Sequence, residues 1–420
     1  MANIGEYSPK SGRTIKEDDS VVNLADKIDE LHAALVTNGD AKVQLSGSID
    51  AQLQGELAEK LATIEKQNQT ITQLSRLAPS SPPSDFTKAP GGKVLLKGNS
   101  EAGFYGFLQP EEFGLIENNP SGSQEFDGDN LALALGISQG TSQFSDTAWM
   151  KFSSYGKILF RPVKTIRRSI SWNAIYNAGA VYGDDSVGIC PPNGRVGAEL
   201  SIDETDNSIN IDTATDDGFL RSSAVLASAG DTIVLAGFGD NDGEHEIESI
   251  TDTKIIVTSA STLVDFSGTN DSRIWNKDDE VAQNAIETIG GLQYRIRLMK
   301  GAANDPVDSY SESDRGSRGD ANEWNRLILP LHERAKDGNW NYPAYAPENV
   351  DDWGVGLTDE NMMTHNQFGN GSYHWCQEVR NDTQTYRRVV RGYLGASYLY
   401  AFGSWITGSY RGWSPVLELL

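Results

Sequence analysis

Apolar residues recur at alternating spacings of three and four through Val21, Leu24, Ile28, Leu31 and Leu35, and a second stripe follows through Ile49, Leu53, Leu57, Leu61, Ile64, Ile71 and Leu74. That spacing draws a stripe about two residues wide along a helix, too narrow to pack into a globular core and suited to the seam of a coiled coil. Asn38-Gly39-Asp40 interrupts the stripe, and Asn68 stands where an apolar residue is expected. A single polar residue in such a seam fixes register and strand number. Ala78-Pro79-Ser80-Ser81-Pro82-Pro83 ends it, because proline removes a helical donor and restricts the residue before it. A helix with this face buries it by self-association, and Ile and Leu mixed at both core positions favour three strands over two. Helices folded back on the body of one chain are the alternative.

At 420 residues the chain exceeds what one core organises, so several folding units are expected. Asp and Glu number 59 against 35 Lys and Arg, a formal charge of −24. Nucleic-acid partners are disfavoured, since their affinity comes from cations set against phosphates. The first residues, Met1-Ala-Asn-Ile-Gly-Glu-Tyr-Ser-Pro-Lys, carry no apolar core of the signal-peptide kind, and no run approaches the roughly 20 apolar residues of a membrane span. A protein made in the cytoplasm, with no membrane insertion, is expected. Cys190 and Cys376 lie far apart, so neither a disulfide framework nor a zinc spacing can be read.

Past the prolines, residues 93–96, 148–152 and 157–163 read as strands, and Ser171 caps a helix carrying Trp172, Ile175 and Tyr176. Residues 232–264 alternate and turn repeatedly, as an antiparallel meander does. A strand is expected at 294–298, a helix at 322–332, and strands at 373–379, 387–392 and 413–419. Six tryptophans, Trp324, Trp340, Trp353, Trp375, Trp405 and Trp413, fall in the last hundred residues or so, among loops rich in Gly and Asn. The fold class expected is α+β with several domains: a docking segment at 1–20, a coiled-coil stalk at 21–78 and a linker at 79–92. An α+β head follows in two halves, 93–200 and 289–420, with a small antiparallel β domain inserted at 201–288.

Gly369-Asn-Gly-Ser-Tyr-His-Trp-Cys-Gln-Glu, Arg388-Val-Val-Arg-Gly and Gly412-Trp-Ser-Pro-Val-Leu-Glu occur in that order, after Ser169-Ile-Ser-Trp-Asn-Ala-Ile and Ala321-Asn-Glu-Trp-Asn-Arg-Leu. In these elements the chain resembles the formylglycine-generating-enzyme (sulfatase-modifying-factor) variety of the C-type lectin fold. In wording that includes Trp149-Met-Lys-Phe and Lys157-Ile-Leu-Phe it is similar to tail-fibre and other virion proteins of tailed bacteriophages. The resemblance spans about residues 95–190 and 290–420. It implies a lectin-like head with Trp172, Trp324, Trp375, Arg391, Gly392 and Trp413 as its framework, displaying loops and not performing chemistry. It further implies a virion protein on the particle exterior that binds a host surface protein or glycan; the stalk, read from its own pattern, makes it a homotrimer with itself, and the first twenty residues are expected to dock on other virion proteins. A collar, neck or head-fibre part touching only virion proteins is the alternative, and a glycan-cleaving tailspike a third.

The chemistry-bearing patterns are few. The family's oxidase activity needs paired cysteines after its Arg-Val-Leu-Arg-Gly motif, and residues 393–420 contain none. Gly136-Ile-Ser-Gln-Gly140 matches a nucleophile elbow around Ser138, but Thr141-Ser-Gln-Phe-Ser does not start the helix that motif requires. The five histidines show no zinc-binding spacing. Asp127-Gly-Asp-Asn and Asp240-Asn-Asp-Gly-Glu lack calcium-loop spacing and read as hairpin turns, and Arg318-Gly319-Asp320 as a polar loop. No strand repeat of a β-helix is present. No catalytic residue, metal or cofactor is therefore expected. Tyr393, Tyr398, Tyr400, Phe402, Trp405 and Tyr410 crowd one Gly- and Ser-spaced segment between two expected strands and are the candidate receptor-binding residues, with core packing the alternative for each.

Overall fold

The computed structural model describes residues 87–420 apart from 118, 120–122, 189, 193, 197–199, 212–226, 270–271, 303–321 and 381–386. The docking segment, the coiled-coil stripe from Val21 to Leu74 with Asn68, and most of the proline linker lie outside the described residues, as does the Arg318–Asp320 loop.

The described residues form three sheets with few helices, a β-rich α+β architecture. In the first sheet seven strands run in the spatial order Lys97–Gly98, Ala102–Leu108, Trp149–Ser154, Lys157–Pro162, Val416–Leu419, Leu292–Arg297 and Ile286–Ile289, every neighbour antiparallel. The second sheet orders six as Leu399–Gly403, Arg387–Gly392, Tyr373–Val379, Arg411–Trp413, Arg167–Arg168 and Thr141–Ser142. Its one parallel pair joins Tyr373–Val379 to Arg411–Trp413. The chain thus closes its C-terminal segment into both sheets. The single strand expected at 413–419 is two, because Pro415 cannot donate to a ladder and the chain changes sheets at Ser414-Pro415.

Trp149, Phe160, Trp172, Tyr294, Trp375, Trp413 and Leu417 share one buried cluster of residues from both sheets and from the helix Trp172–Asn177. Ser171 caps that helix as the sequence implies, its hydroxyl accepting from the amide of Ala174 at 3.2 Å. A second cluster, with Phe152, Trp324, Leu327, Trp340 and Trp353, fills the other side of the first sheet.

All eight strands of the third sheet lie between Arg195 and Asn276, and they enclose a separate core of Leu200, Ile209, Ile233, Leu235, Phe238, Ile247, Ile255 and Ile274. Its central strands Thr232–Ala236, Gly243–Ile250 and Lys254–Val257 pair antiparallel in sequence order, as a meander does. Cys190 packs on Trp275 where this sheet meets the rest. The strand Ile286–Ile289 already belongs to the first sheet.

Three local expectations are corrected. Residues 93–96 are not a strand: Lys151, wholly buried, donates its ammonium to the carbonyls of Pro90 (2.9 Å) and Gly92 (2.8 Å), which draws the chain out of strand geometry until Lys97. The helix expected at 322–332 is a widened turn at Trp324–Ile328 followed by a 3-10 turn at Leu329–Leu331, since Pro330 has no N–H with which to continue an α-helix. Asp127 does not turn a hairpin but starts the helix Gly128–Ala134, its carboxylate accepting from the amides of Asp129 (2.8 Å) and Asn130 (2.7 Å). The other acidic turn, around Asp240, does connect two hairpin strands.

Candidate functional site: an aromatic row on the second sheet

The edge strand Leu399–Gly403 alternates buried and half-buried residues, with Leu399, Ala401 and Gly403 inside and Tyr400 and Phe402 partly open. The period of two places Tyr398, Tyr400 and Phe402 on one face. Their rings follow one another, Tyr398 to Tyr400 at 6.3 Å and Tyr400 to Phe402 at 4.9 Å between centroids. Phe402 meets Tyr373 edge-on at 4.8 Å, Tyr373 stacks on Tyr393 at 4.1 Å with planes 6° apart, and Tyr393 meets Tyr410 at 5.2 Å. At the other end Tyr342 and Tyr345 approach Tyr398 at 4.7 and 5.8 Å. Aromatic pairs in such offset and edge-on arrangements each contribute about 0.5–1.5 kcal/mol beyond burial, so the row is rigid while one side remains open.

Two devices hold the row. Gly392 (φ 90°) and Tyr393 (φ 78°) both adopt left-handed backbone, which swings Tyr393 out of the strand and back over Tyr373. That conformation costs a tyrosine on the order of 1–3 kcal/mol, and the stack offsets it. A Cβ at position 392 would also come within 2.4 Å of the Ser372 carbonyl, so glycine is needed there on both counts. The loop between the strands is pinned by Asp359, whose carboxylate accepts from the Ala396 amide at 2.8 Å and the Thr364 hydroxyl at 2.6 Å.

Of the six aromatic residues singled out in the sequence, five join the row. Trp405, 38% exposed and the most open of them, lies over Gly403 at the end of the edge strand. The sequence reading missed Tyr342, Tyr345, Tyr373 and Arg411. Arg411 sets its guanidinium over Phe402 at 3.9 Å and near Tyr373 at 5.5 Å. Burial pushes the Tyr373 phenol above its ordinary range, reinforced by Tyr398, Tyr393 and Tyr400 and opposed by Arg411, so it stays neutral at any ordinary pH. Beside the Tyr342 end is an open hollow of about 520 Å³ bounded by Ala335, Asp337, Trp340, Pro343, Glu348 and Val350.

The framework residues lie behind the row, all buried. Trp172 donates its indole N–H to the Cys376 carbonyl (2.9 Å), Trp375 to Ile170 (2.8 Å) and Trp324 to Ala396 (2.8 Å), while Arg388 lies over Trp172 at 4.5 Å. Trp413 is fully enclosed. Arg391 donates to the Asn325 side chain and faces Trp324 at 5.8 Å.

One buried constellation has the outline of a nucleophile and its base: Ser414 Oγ lies 3.0 Å from His374 Nδ1. Arg161 Nη2 approaches the same nitrogen at 2.9 Å, and His374 Nε2 faces the Met363 carbonyl. Burial, then the Arg161 charge, hold His374 well below its usual range, so its imidazole is neutral, with Nδ1 accepting and Nε2–H donating. A lone pair already engaged by a guanidinium is a poor proton acceptor, and both residues are about 1–2% exposed. The Cys376 thiol is likewise pushed well up by burial, then by Glu378, leaving little thiolate. Gly136–Gly140 follows a helix and precedes the strand Thr141–Ser142, the reverse of an elbow's order. Among the described residues no group of three His, Cys, Asp or Glu side chains converges as metal ligands, and no helix is long and apolar enough to cross a membrane.

Compared with protein-family models, with curated proteins and with solved structures, the chain matches none.

Proposed function

We propose that this chain is a non-enzymatic bacteriophage virion protein, a trimeric fibre-like appendage whose C-type-lectin-like head binds a host surface receptor. The observation that carries the reading is the aromatic row. Five of the six residues singled out in the sequence stand on one half-open face of the second sheet, held by strand pairing and a left-handed backbone turn. Rigid Tyr and Phe surfaces lose little side-chain entropy on contact and suit stacking on sugar rings or protein. The narrow apolar seam of residues 21–74 supplies the symmetry, and three copies of a weak site gain avidity without any new contact.

The stalk reading is tested by sedimentation. The full chain is expected to run as a trimer and a truncation lacking residues 1–78 as a smaller species; a monomeric full chain removes the trimer. The receptor reading is tested by adding excess protein to phage and host. The chain blocks adsorption, and Tyr398→Ser with Tyr400→Ser weakens the block by roughly 30-fold or more, the effect of losing about 2 kcal/mol at an aromatic hot spot. The melting temperature of that variant reports whether the head is intact. A chain that never competes for adsorption belongs instead to a collar, neck or head-fibre part that contacts only other virion proteins.

A further inference from the structure

Carboxylates outnumber basic groups 59 to 35 in this chain, so an arginine left without an acidic partner is not short of one in composition. The strand residue Arg411 is such a group. It is half-buried, its guanidinium lies 3.9 Å over the Phe402 ring, and among the described residues no carboxylate pairs with it. Its buried Nε has no hydrogen-bond partner among them either. Around it stand Tyr373, Tyr393 and Tyr410, and the Tyr393 and Tyr410 hydroxyls take no hydrogen bond from the described residues. A planar cation backed by an aromatic face, flanked by phenol hydroxyls, is the chemistry that receives an oxyanion together with the ring that carries it. The chain's formal charge of −24 opposes an anionic ligand at long range, but at physiological salt that repulsion is screened beyond about 8 Å while the local contact is not.

We infer that Arg411, with Phe402, Tyr373, Tyr393 and Tyr410, forms a subsite for an acidic sugar, a glycan whose ring stacks on the aromatic row and whose anionic group meets the guanidinium. This rests on the receptor-binding reading and names its ligand class.

The full-length protein is titrated against immobilised oligosaccharides in matched sets: oligogalacturonate, the same oligomer as its neutral methyl ester, a phosphorylated mannan, and unsubstituted mannan. Binding to an acidic member is expected to exceed binding to its neutral counterpart by at least about tenfold, the effect of one charge-assisted contact. Arg411→Gln abolishes the preference and Arg411→Lys, which keeps the charge but not the planar fork, restores part of it. Preference for the galacturonate or for the phosphomannan distinguishes a carboxylate from a phosphate as the anion. Equal binding of charged and neutral members, no binding of any acidic glycan, or an unchanged preference in a folded Arg411→Gln variant overturns the proposal. Host adsorption separates the two levels: loss with the tyrosine double variant but not with Arg411→Gln leaves the receptor reading standing and this one refuted, whereas no loss with either refutes both.

Discussion

Replacing Arg297 by methionine is expected to lower the unfolding free energy by about 3–5 kcal/mol, the cost of stranding buried charge by removing its partner. Arg297 is almost wholly enclosed and donates to both oxygens of Glu323, at 2.8 and 2.7 Å, and to Glu418 at 3.1 Å. The three residues come from the strand Leu292–Arg297, the position just before the widened turn Trp324–Ile328 and the C-terminal strand, so one guanidinium ties together elements that are remote in sequence. Glu418 keeps Lys157 at 2.7 Å and Arg295 at 3.3 Å when Arg297 is lost, but Glu323 has no other ion pair among the described residues. The sign of the acid response should invert. Burial alone would raise the Glu323 carboxyl, yet the Arg297 charge and its hydrogen bonds hold it at about 2. Its contribution in the parent chain is therefore complete above the unfolded carboxylate range and is lost as pH falls from about 4.5 through 2. Without Arg297, burial dominates, Glu323 folds more readily protonated, and the deficit narrows on acidification. The double variant Arg297→Met, Glu323→Leu should regain most of the loss, since apolar replacement of a buried pair is often neutral. Denaturant unfolding at pH 7 and pH 4 reads all three chains, and a deficit that widens in acid rejects the account.

This network was not legible in the sequence, whereas much of the second sheet was. Residues 373–379 carry Tyr, Trp and Val between Gly371 and Asn381, residues 387–392 carry the Val389-Val390 pair, and both form strands over those bounds. The Ser171 cap was readable for the same reason, because a side chain and the amide three residues on are fixed by local geometry. What failed was decided at long range. Lys151 takes the carbonyls of Pro90 and Gly92, just ahead of residues 93–96, and nothing near position 93 announces it. The aromatic segment 393–410 was visible as composition, yet the row is completed by Tyr342 and Tyr345 from a loop and by Tyr373 and Arg411 across a parallel pairing. Arg411 directly follows Tyr410 in a segment already singled out for its rings, and a cation beside those rings was the signal to be found.

A second large effect follows from two buried groups whose titrations oppose each other. Glu378 accepts the Gly301 amide at 2.9 Å and the Ala302 amide at 3.1 Å, contacts that favour its charged form, but complete burial outweighs them and pushes the carboxyl up to about 7. A raised carboxyl gives stability that is present below its unfolded value of 4.5 and lost as pH rises through 7. His374 is held well below 6.5, so its contribution runs the other way and is lost as pH falls below that value. Between about pH 5 and 6.5 folding takes up one proton at Glu378 and releases one at His374, and the two slopes cancel. Glu323 and Glu418, both held low, and Asp359, held low as well, act only at more acid pH. Glu378→Gln removes one side of the balance. The parent chain should therefore change little in stability from pH 6.5 to 5, while the variant should lose about 2 kcal/mol over the same interval, one proton's worth at roughly 1.4 kcal/mol per unit. Chemical denaturation of both chains at the two pH values measures the difference directly. Parallel pH dependence in the two would mean that Glu378 is already ionised at pH 5 and that its backbone amides and not its burial set its charge.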